Sequence, residues 1–294
     1  MDTLQWGTRY AMVDPRHFRI DYRINPFMDT ADQPDPVRAR LQWDVLRRTL
    51  SALGARVDVF RSRPDSPDMV YAMNLGLAVT DDTGSNRVTM SHMRYAERRI
   101  ETGAAATSFG ALGFVPSYVG RDGIGGFFES GDAFPYGGDL VVGHGKRSDE
   151  IGLKMLASEL GVRVRGLRIV HPSMYHLDLA FCPLSERHAL VCPEAFDDAS
   201  AAAVLDLVPE PIVLTADEAM TFAANSIVIG RTVVMPACPR RVLDDLLTAG
   251  FDVTVVDMSE LHKGGGSIRC MTNPLDIAMG RDLVRVPGGA FELG

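Results

Sequence analysis

The residue best equipped for covalent chemistry is Cys270, which ends the stretch Leu261-His-Lys-Gly-Gly-Gly-Ser-Ile-Arg-Cys270. A cysteine attacks as its thiolate, and neighbouring positive charge lowers the cost of forming that anion. Lys263 and Arg269 give this cysteine a basic approach along the chain. The three consecutive glycines let the backbone come closer to a small ligand than a Cβ permits. A glycine-rich turn ahead of a buried structural cysteine is the competing reading, because free cysteine is among the most buried residue types. The stretch alone does not separate the two.

Polar residues recur on comparable connections upstream: Asn74, Glu129 with Asp132, His176 with Asp178, and Asn225. The elements that must position them form a weak internal repeat. A helix is predicted from Asp35 to Leu53, ending at Gly54, followed by strands at 55–60, 75–80 and 87–91 and a helix at about 92–103. The pattern returns with a strand at 139–143, a helix at about 148–160 and a strand at 162–170. It returns again with strands at 189–192 and 211–214 around a helix at about 197–207. A further unit has a strand at 232–235, a helix at about 239–249 and a strand at 251–257. The last is expected to be completed by strand-like 284–286 and 8–13. One polar element per unit, spaced about 45–55 residues apart, is the period of a radial repeat. Units circling an axis would bring all five elements to one central cavity within a single domain spanning 1–294.

Composition limits the classes of function. The 294 residues carry 30 basic and 38 acidic side chains, a net charge of −8 that argues against a nucleic-acid or anionic-membrane surface. No apolar stretch approaches the roughly 18 residues of a membrane span, and no amino-terminal apolar run follows a basic start. Cys182, Cys192, Cys238 and Cys270 lack zinc-site or disulfide-framework spacing. A reduced, cytoplasmic setting without a metal is the expectation, and the sequence is compatible with a homo-oligomer.

Taken together, Pro67-Asp-Met-Val, Glu129-Ser-Gly-Asp132, His176-Leu-Asp178 and Gly264-Gly-Gly-Ser-Ile-Arg-Cys270 resemble the guanidine-modifying enzymes of the pentein superfamily. These include dimethylargininases, arginine deiminases, arginine dihydrolases and amidinotransferases, and the likeness spans roughly residues 7–275. The resemblance implies a five-bladed α/β propeller built from pseudo-fivefold ββαβ repeats. It implies Cys270 as nucleophile, His176 as general acid and base, and Glu129 holding the substrate guanidinium and orienting His176. It places Asp178 on the guanidinium nitrogens and Asn225 in the substrate site. Arg94 and Arg147 fit the positions that grip a substrate carboxylate, a task suited to a bidentate guanidinium; a solvated helix-flanking charge is the other fate of each. Asp132 reads as a turn-forming carboxylate, and Arg98, Arg99 and Lys146 as surface. His176 and Asp178, two apart on an expected strand, would face one side. No cofactor is implied, and the partner is a small arginine-like guanidino compound.

One departure from the family pattern is informative. Where dimethylargininases and deiminases carry an acidic pair, this chain reads Ala72-Met73-Asn74. Asn74 offers a carbonyl and an amide NH₂, so it can also meet the C=O of a neutral ureido group. Together with Asn25 in Ile24-Asn-Pro26, it resembles the arginine dihydrolases, which convert arginine to ornithine, ammonia and carbon dioxide; turn chemistry before Pro26 is the plain alternative for Asn25. Met73 leaves the pocket's shape open. Three outcomes stand: a dihydrolase-like hydrolase; a citrulline-forming dimethylargininase or an amidinotransferase; and a non-catalytic pentein binding protein, against which the joint retention of Glu129, His176 and Cys270 argues.

Overall fold

The computed structural model describes residues 3–294 and shows a mixed α/β fold in which one local topology occurs five times. Each unit has an inner strand paired antiparallel to a central strand, a helix, and an outer strand parallel to the central one. The sets are Gly76–Thr80, Asn86–Met90 and Val115–Tyr118; Ala133–Tyr136, Asp139–His144 and Arg163–Arg168; Phe181–Pro183, His188–Val191 and Glu210–Val213; and Ile227–Ile229, Thr232–Met235 and Asp252–Val255. The fifth joins distant parts of the chain: Asn273–Pro274 pairs antiparallel with Arg9–Val13, which pairs parallel with Arg56–Phe60.

Burial follows position in the sheet. Inner and central strands such as Ala133–Tyr136 and Asp139–His144 are buried throughout, whereas outer strands such as Asp252–Val255 are partly exposed. Strands covered on both faces read as continuous apolar runs, which is why 139–143 and 232–235 are legible in the sequence. The helices begin where short polar side chains can accept the first free N–H groups. Asp35 accepts from Val37 and Arg38 ahead of Pro36–Ala52, Asp149 from Gly152 ahead of Glu150–Leu160, and Asp197 from Ser200 ahead of Asp198–Leu207. Gly161 ends the second of these with φ of 64°, a left-handed conformation that suits glycine.

Two expected elements lie elsewhere. The helix expected at about 92–103 starts later and in two pieces, a four-residue helix at Ala96–Arg99 and a helix at Glu101–Ala111. His92 exchanges both backbone hydrogen bonds with Phe128, which keeps the chain extended where the helix was expected to start. Residues 284–286 form no regular strand: Val284 and Val286 donate single bonds to Gly138 and Gly161. The C-terminal strand is Ala290–Leu293, which adds a fourth member to the sheet of Arg163–Arg168.

Candidate active site

The inner strands of four units are entered through tight turns that carry the polar residues. Ala72–Leu75, Ser130–Asp132 and Leu177–Leu179 are single 3₁₀ turns, and Glu129 and His176 occupy extended positions just before the last two. Asn225 follows the turn at Phe222, whose φ is 64°, and Cys270 lies at the end of the glycine turn. Hydrogen bonds tie each turn to the next. Gly131 N–H donates to Asn74 Oδ1 (2.8 Å), Leu177 N–H to Asp132 Oδ1 (2.9 Å) and Asn225 Nδ2 to the Asp178 carbonyl (3.1 Å). Arg269 N–H donates to the Asn225 carbonyl (3.1 Å), and Met73 N–H to the Cys270 carbonyl (2.8 Å), returning to the first turn.

A small, tightly closed cavity of about 10 Å³ lies against these turns, lined by Ile24, Asn25, Met28, Asp68, Tyr71, Asn74, Arg98, Arg147, Tyr175, His176, Gly264, Gly266 and Cys270. The glycines are required by close approach. A Cβ on Gly264 or Gly266 would strike Tyr71, and one on Gly265, whose φ is 89°, would strike the Asn25 amide. Tyr71 Oη donates to the Leu261 carbonyl (2.6 Å) and Tyr175 Oη to that of Gly265 (2.5 Å), so two aromatic side chains pin the turn that presents the thiol.

Cys270 is buried with its sulfur 3.1 Å from Asp178 Oδ2 and 3.1 Å from Asn225 Nδ2. The basic approach expected from the sequence is not formed. Lys263 turns to Asp32 and Glu260, and the Arg269 guanidinium packs between Trp6 and Phe134. Successive residues of a tight turn point in different directions, so adjacency along the chain gives no adjacency of charge. Burial, reinforced by the Asp178 carboxylate, pushes the Cys270 thiol well above its ordinary range. Burial likewise raises the Asp178 carboxyl to about 7, against the lowering effect of its hydrogen bond to Cys270. The resting pair is a neutral thiol beside a carboxyl poised between its two forms.

His176 Nε2 lies 2.8 Å from Glu129 Oε2, and the other ring nitrogen has no partner among the described residues. Burial alone would raise the Glu129 carboxyl, but Arg147 (3.1 Å to Oε2) and His176 hold it well below the usual range, so it is an anion. Its Oε1 accepts the Arg94 N–H (3.0 Å), and its own N–H is held by Ser148 Oγ (3.0 Å), which donates to Asp132 Oδ2 (2.7 Å). Asp132 thus braces two turns, as a structural carboxylate does. Asp178 and His176 do not share a strand face: the 3₁₀ turn at Leu177–Leu179 sends His176 to Glu129 and Asp178 to Cys270.

Arg147 is buried, its guanidinium between the rings of Tyr95 and Tyr175 and its Nη2 on the Ile24 carbonyl (2.9 Å). Arg94 is half-buried over Phe127, outside the cavity lining, with Nε on the Arg147 carbonyl. Asn25 reaches the cavity while bonding the backbone of Phe27 and Gly264 (both 3.0 Å). Met73 is buried away from the lining, so it does not shape the pocket directly.

Two cavity residues escaped the sequence reading. Arg98, expected at the surface, is 3% exposed and makes a bidentate pair with Glu101 (2.9 and 2.8 Å). The i, i+3 spacing of these opposite charges was the available signal. Asp68 is buried with neither carboxylate oxygen hydrogen-bonded among the described residues, and burial pushes its carboxyl up to about 7 in spite of nearby Arg98. Its signals in the sequence were its place in the Pro67-Asp-Met-Val motif and an acidic residue standing directly before the apolar run Met69-Val-Tyr-Ala-Met73. Among the described residues no cluster of His, Cys, Asp and Glu is arranged to hold a metal ion, and no helix is long and apolar enough to cross a membrane.

A buried thiol, an imidazole–carboxylate pair and further carboxylates around one small cavity belong to the class of hydrolases that act on guanidino groups. Residues 14–277 match the family described as N,N dimethylarginine dimethylhydrolase, eukaryotic, and the chain belongs to that family. It is 34% identical over 264 residues to the N(G),N(G)-dimethylarginine dimethylaminohydrolase of Mycobacterium tuberculosis, covering 90% of this chain and 84% of that one. It is 32% identical over 269 residues to the bifunctional arginine dihydrolase/ornithine cyclodeaminase ArgZ of Synechocystis, covering 90% of this chain and 37% of that one. The crystal structure of the N-terminal domain of ArgZ, a cyanobacterial arginine dihydrolase bound to product, superimposes with a TM-score of 0.85 at 31% identity, covering 92% of this chain and 98% of that domain.

Proposed function

We propose that the protein hydrolyses the guanidino group of arginine through a covalent amidino-thioether on Cys270, and carries the product through a second hydrolysis to ornithine. In this reading the five ββαβ units stand as propeller blades around the cavity, a reading supported by the hydrogen bonds that run from turn to turn. A guanidinium carbon is a poor electrophile because its charge is delocalised, so the site must fix the cation and generate the thiolate together. The buried carboxyls of Asp68, Asp178 and Glu129 suit the cation. Its arrival beside Asp178 and Cys270 offsets the burial that otherwise keeps the thiol neutral.

The thiolate attacks the guanidinium carbon, the C–N bond to one terminal nitrogen breaks, and His176 delivers the proton with which that nitrogen leaves as ammonia. Water then attacks the amidino carbon, His176 takes its proton, and the thiolate departs from a ureido product. A second round at the ureido carbon releases ornithine, so that arginine and two waters give ornithine, carbon dioxide and two ammonia. Arg147, which lines the cavity, is assigned to the substrate carboxylate, Arg94 outside the lining to bracing Glu129 and the Arg147 carbonyl, and Asn25 and Asn225 to positioning at the turns they hold.

Asn74 carries the choice of two rounds. A backbone N–H can only donate, so the atom facing Gly131 is Oδ1 and the other end is the NH₂. Asn74 lines the cavity, and its Nδ2 makes no protein hydrogen bond among the described residues. A donor there suits a ureido carbonyl better than a guanidinium, which presents only N–H groups. The likeness to the M. tuberculosis enzyme supports the second reading, a dimethylarginine hydrolase giving citrulline.

Product analysis by mass spectrometry with arginine, citrulline and dimethylarginine as separate substrates decides between them. Ornithine from arginine and from citrulline, with citrulline accumulating from arginine in Asn74→Asp, is the expected result. Citrulline as the end product of the wild type, or turnover of dimethylarginine alone, overturns the two-round assignment. Activity that appears only with an added amine acceptor overturns hydrolysis itself.

A further inference from the structure

His262 stands at the entry to the glycine turn and takes no part in the reaction steps assigned to Cys270 and His176. Its ring joins two separate parts of the site. Nε2 lies 2.9 Å from Ser267 Oγ, on the far side of the three glycines. The ring face stacks on Phe222, with centroids 4.3 Å apart and planes 14° from parallel. The His262 carbonyl accepts the Gly265 N–H (2.8 Å), so backbone and side chain both hold the turn. Burial lowers the imidazole to about 4, against the pull of the Asp257 carboxylate, and keeps the ring neutral near pH 7. A neutral imidazole shares a hydrogen bond with a hydroxyl without setting a second cation beside the guanidinium that the site must bind.

Both partners of the ring lead to Cys270. The backbone N–H of Ser267 and the side chain of Asn225 favour the thiolate form of Cys270. Asn225 N–H donates to the Phe222 carbonyl (2.9 Å), and its Nδ2 lies 3.1 Å from the sulfur. Phe222 needs support, because its φ of 64° is a left-handed conformation that bulky residues rarely hold without it. Its ring is held by His262 and by Phe27, whose centroid is 4.9 Å away. We propose that His262 is a positioning residue whose ring clamps Ser267 to the Phe222–Asn225 turn and so fixes the donors around Cys270. The role rests on Cys270 being the nucleophile, and it places the effect of His262 on the chemical step rather than on substrate binding.

Steady-state kinetics of His262→Phe, Ser267→Ala and the double variant test the clamp. Ammonia release from arginine and dimethylamine release from dimethylarginine are the readouts. His262→Phe keeps an aromatic face against Phe222 and loses the nitrogen that meets Ser267. Each single variant should lower kcat about tenfold, the scale of one hydrogen bond, with KM within about twofold and the melting temperature within a few degrees. The double variant should lose no more than either single one, and His262→Gln, whose amide reaches the same hydroxyl, should regain part of the loss. A folded His262→Phe with wild-type kcat, single losses that multiply in the double variant, or a rise in KM alone overturns the role. Cys270→Ser, assayed alongside, tests the nucleophile itself: turnover that persists there overturns the reading on which the clamp rests, whatever the His262 variants do.

Discussion

Replacing Asp178 with asparagine should stabilise the protein in a pH-dependent way while impairing catalysis. The carboxyl is buried, and the substitution keeps its shape and its ability to accept from the Cys270 thiol. Burial raises it from 3.8 to about 7, so the folded chain binds a proton that the unfolded chain has released across that window. With fewer protons bound in the unfolded state, stability falls as pH rises from about 4 to about 7 and then levels off. At about 1.4 kcal/mol for each tenfold change in proton affinity, the full penalty approaches about 4 kcal/mol above the raised value. About 1.5–2 kcal/mol of it is already present at pH 5, so the advantage of Asp178→Asn should widen by about 2–3 kcal/mol between pH 5 and pH 8. Lost or altered hydrogen bonds cost the same at both pH values and cancel in that difference. Urea unfolding of wild type and variant at the two pH values reads it directly, and a melting shift of about 5 °C should accompany it. A gap that stays constant or narrows with rising pH would show that Asp178 is an ordinary ionised carboxylate and would refute the raised carboxyl beside Cys270.

Other substitutions probe the rest of the site. Cys270→Ser should lower turnover by about a thousandfold or more while leaving urea stability within about 1 kcal/mol, measured by ammonia release and unfolding in parallel. Arg147→Met leaves the Glu129 anion buried with only His176 and the Arg94 and Ser148 contacts, and should cost about 3–5 kcal/mol in urea unfolding. That loss should be largest above the ordinary carboxylate range and shrink as acid protonates the unfolded chain's glutamate, because the folded value is depressed. Gly266→Ala puts a methyl against Tyr71 and the Cys270 Cβ, and should cost about 1–3 kcal/mol and most of the activity; unchanged turnover in a stable variant would show that the turn has room to move.

The sequence was most legible where one local rule governs. Doubly covered strands are continuous apolar runs, and helices start at Asp35, Asp149 and Asp197, so the repeat and the spacing of its polar turns could be read from period and punctuation. It was least legible where an outcome depends on a partner far along the chain. His92 is held extended by Phe128, 36 residues away, and this displaced a helix. Arg98 is also held inside by the carbonyl of Asp68, 30 residues away. Lys263 and Arg269 flank Cys270 in sequence, yet one turns to exposed Asp32 and buried Glu260 and the other to aromatic rings. The membership of Cys270, His176, Asn25, Asn74 and Arg147 in one cavity lining follows from the motif positions, whereas Arg94 lies outside that lining and the buried carboxylate of Asp68 needed coordinates to be found.

The central claim is that Cys270 carries the substrate's carbon during turnover. Rapid acid quench of the enzyme with arginine, followed by peptide mass spectrometry, tests it most directly. The account predicts an adduct bearing the amidino carbon and its nitrogens on the peptide that contains Cys270, forming within one turnover and absent from Cys270→Ser. Turnover with no adduct on that peptide, persisting in Cys270→Ser, would contradict it.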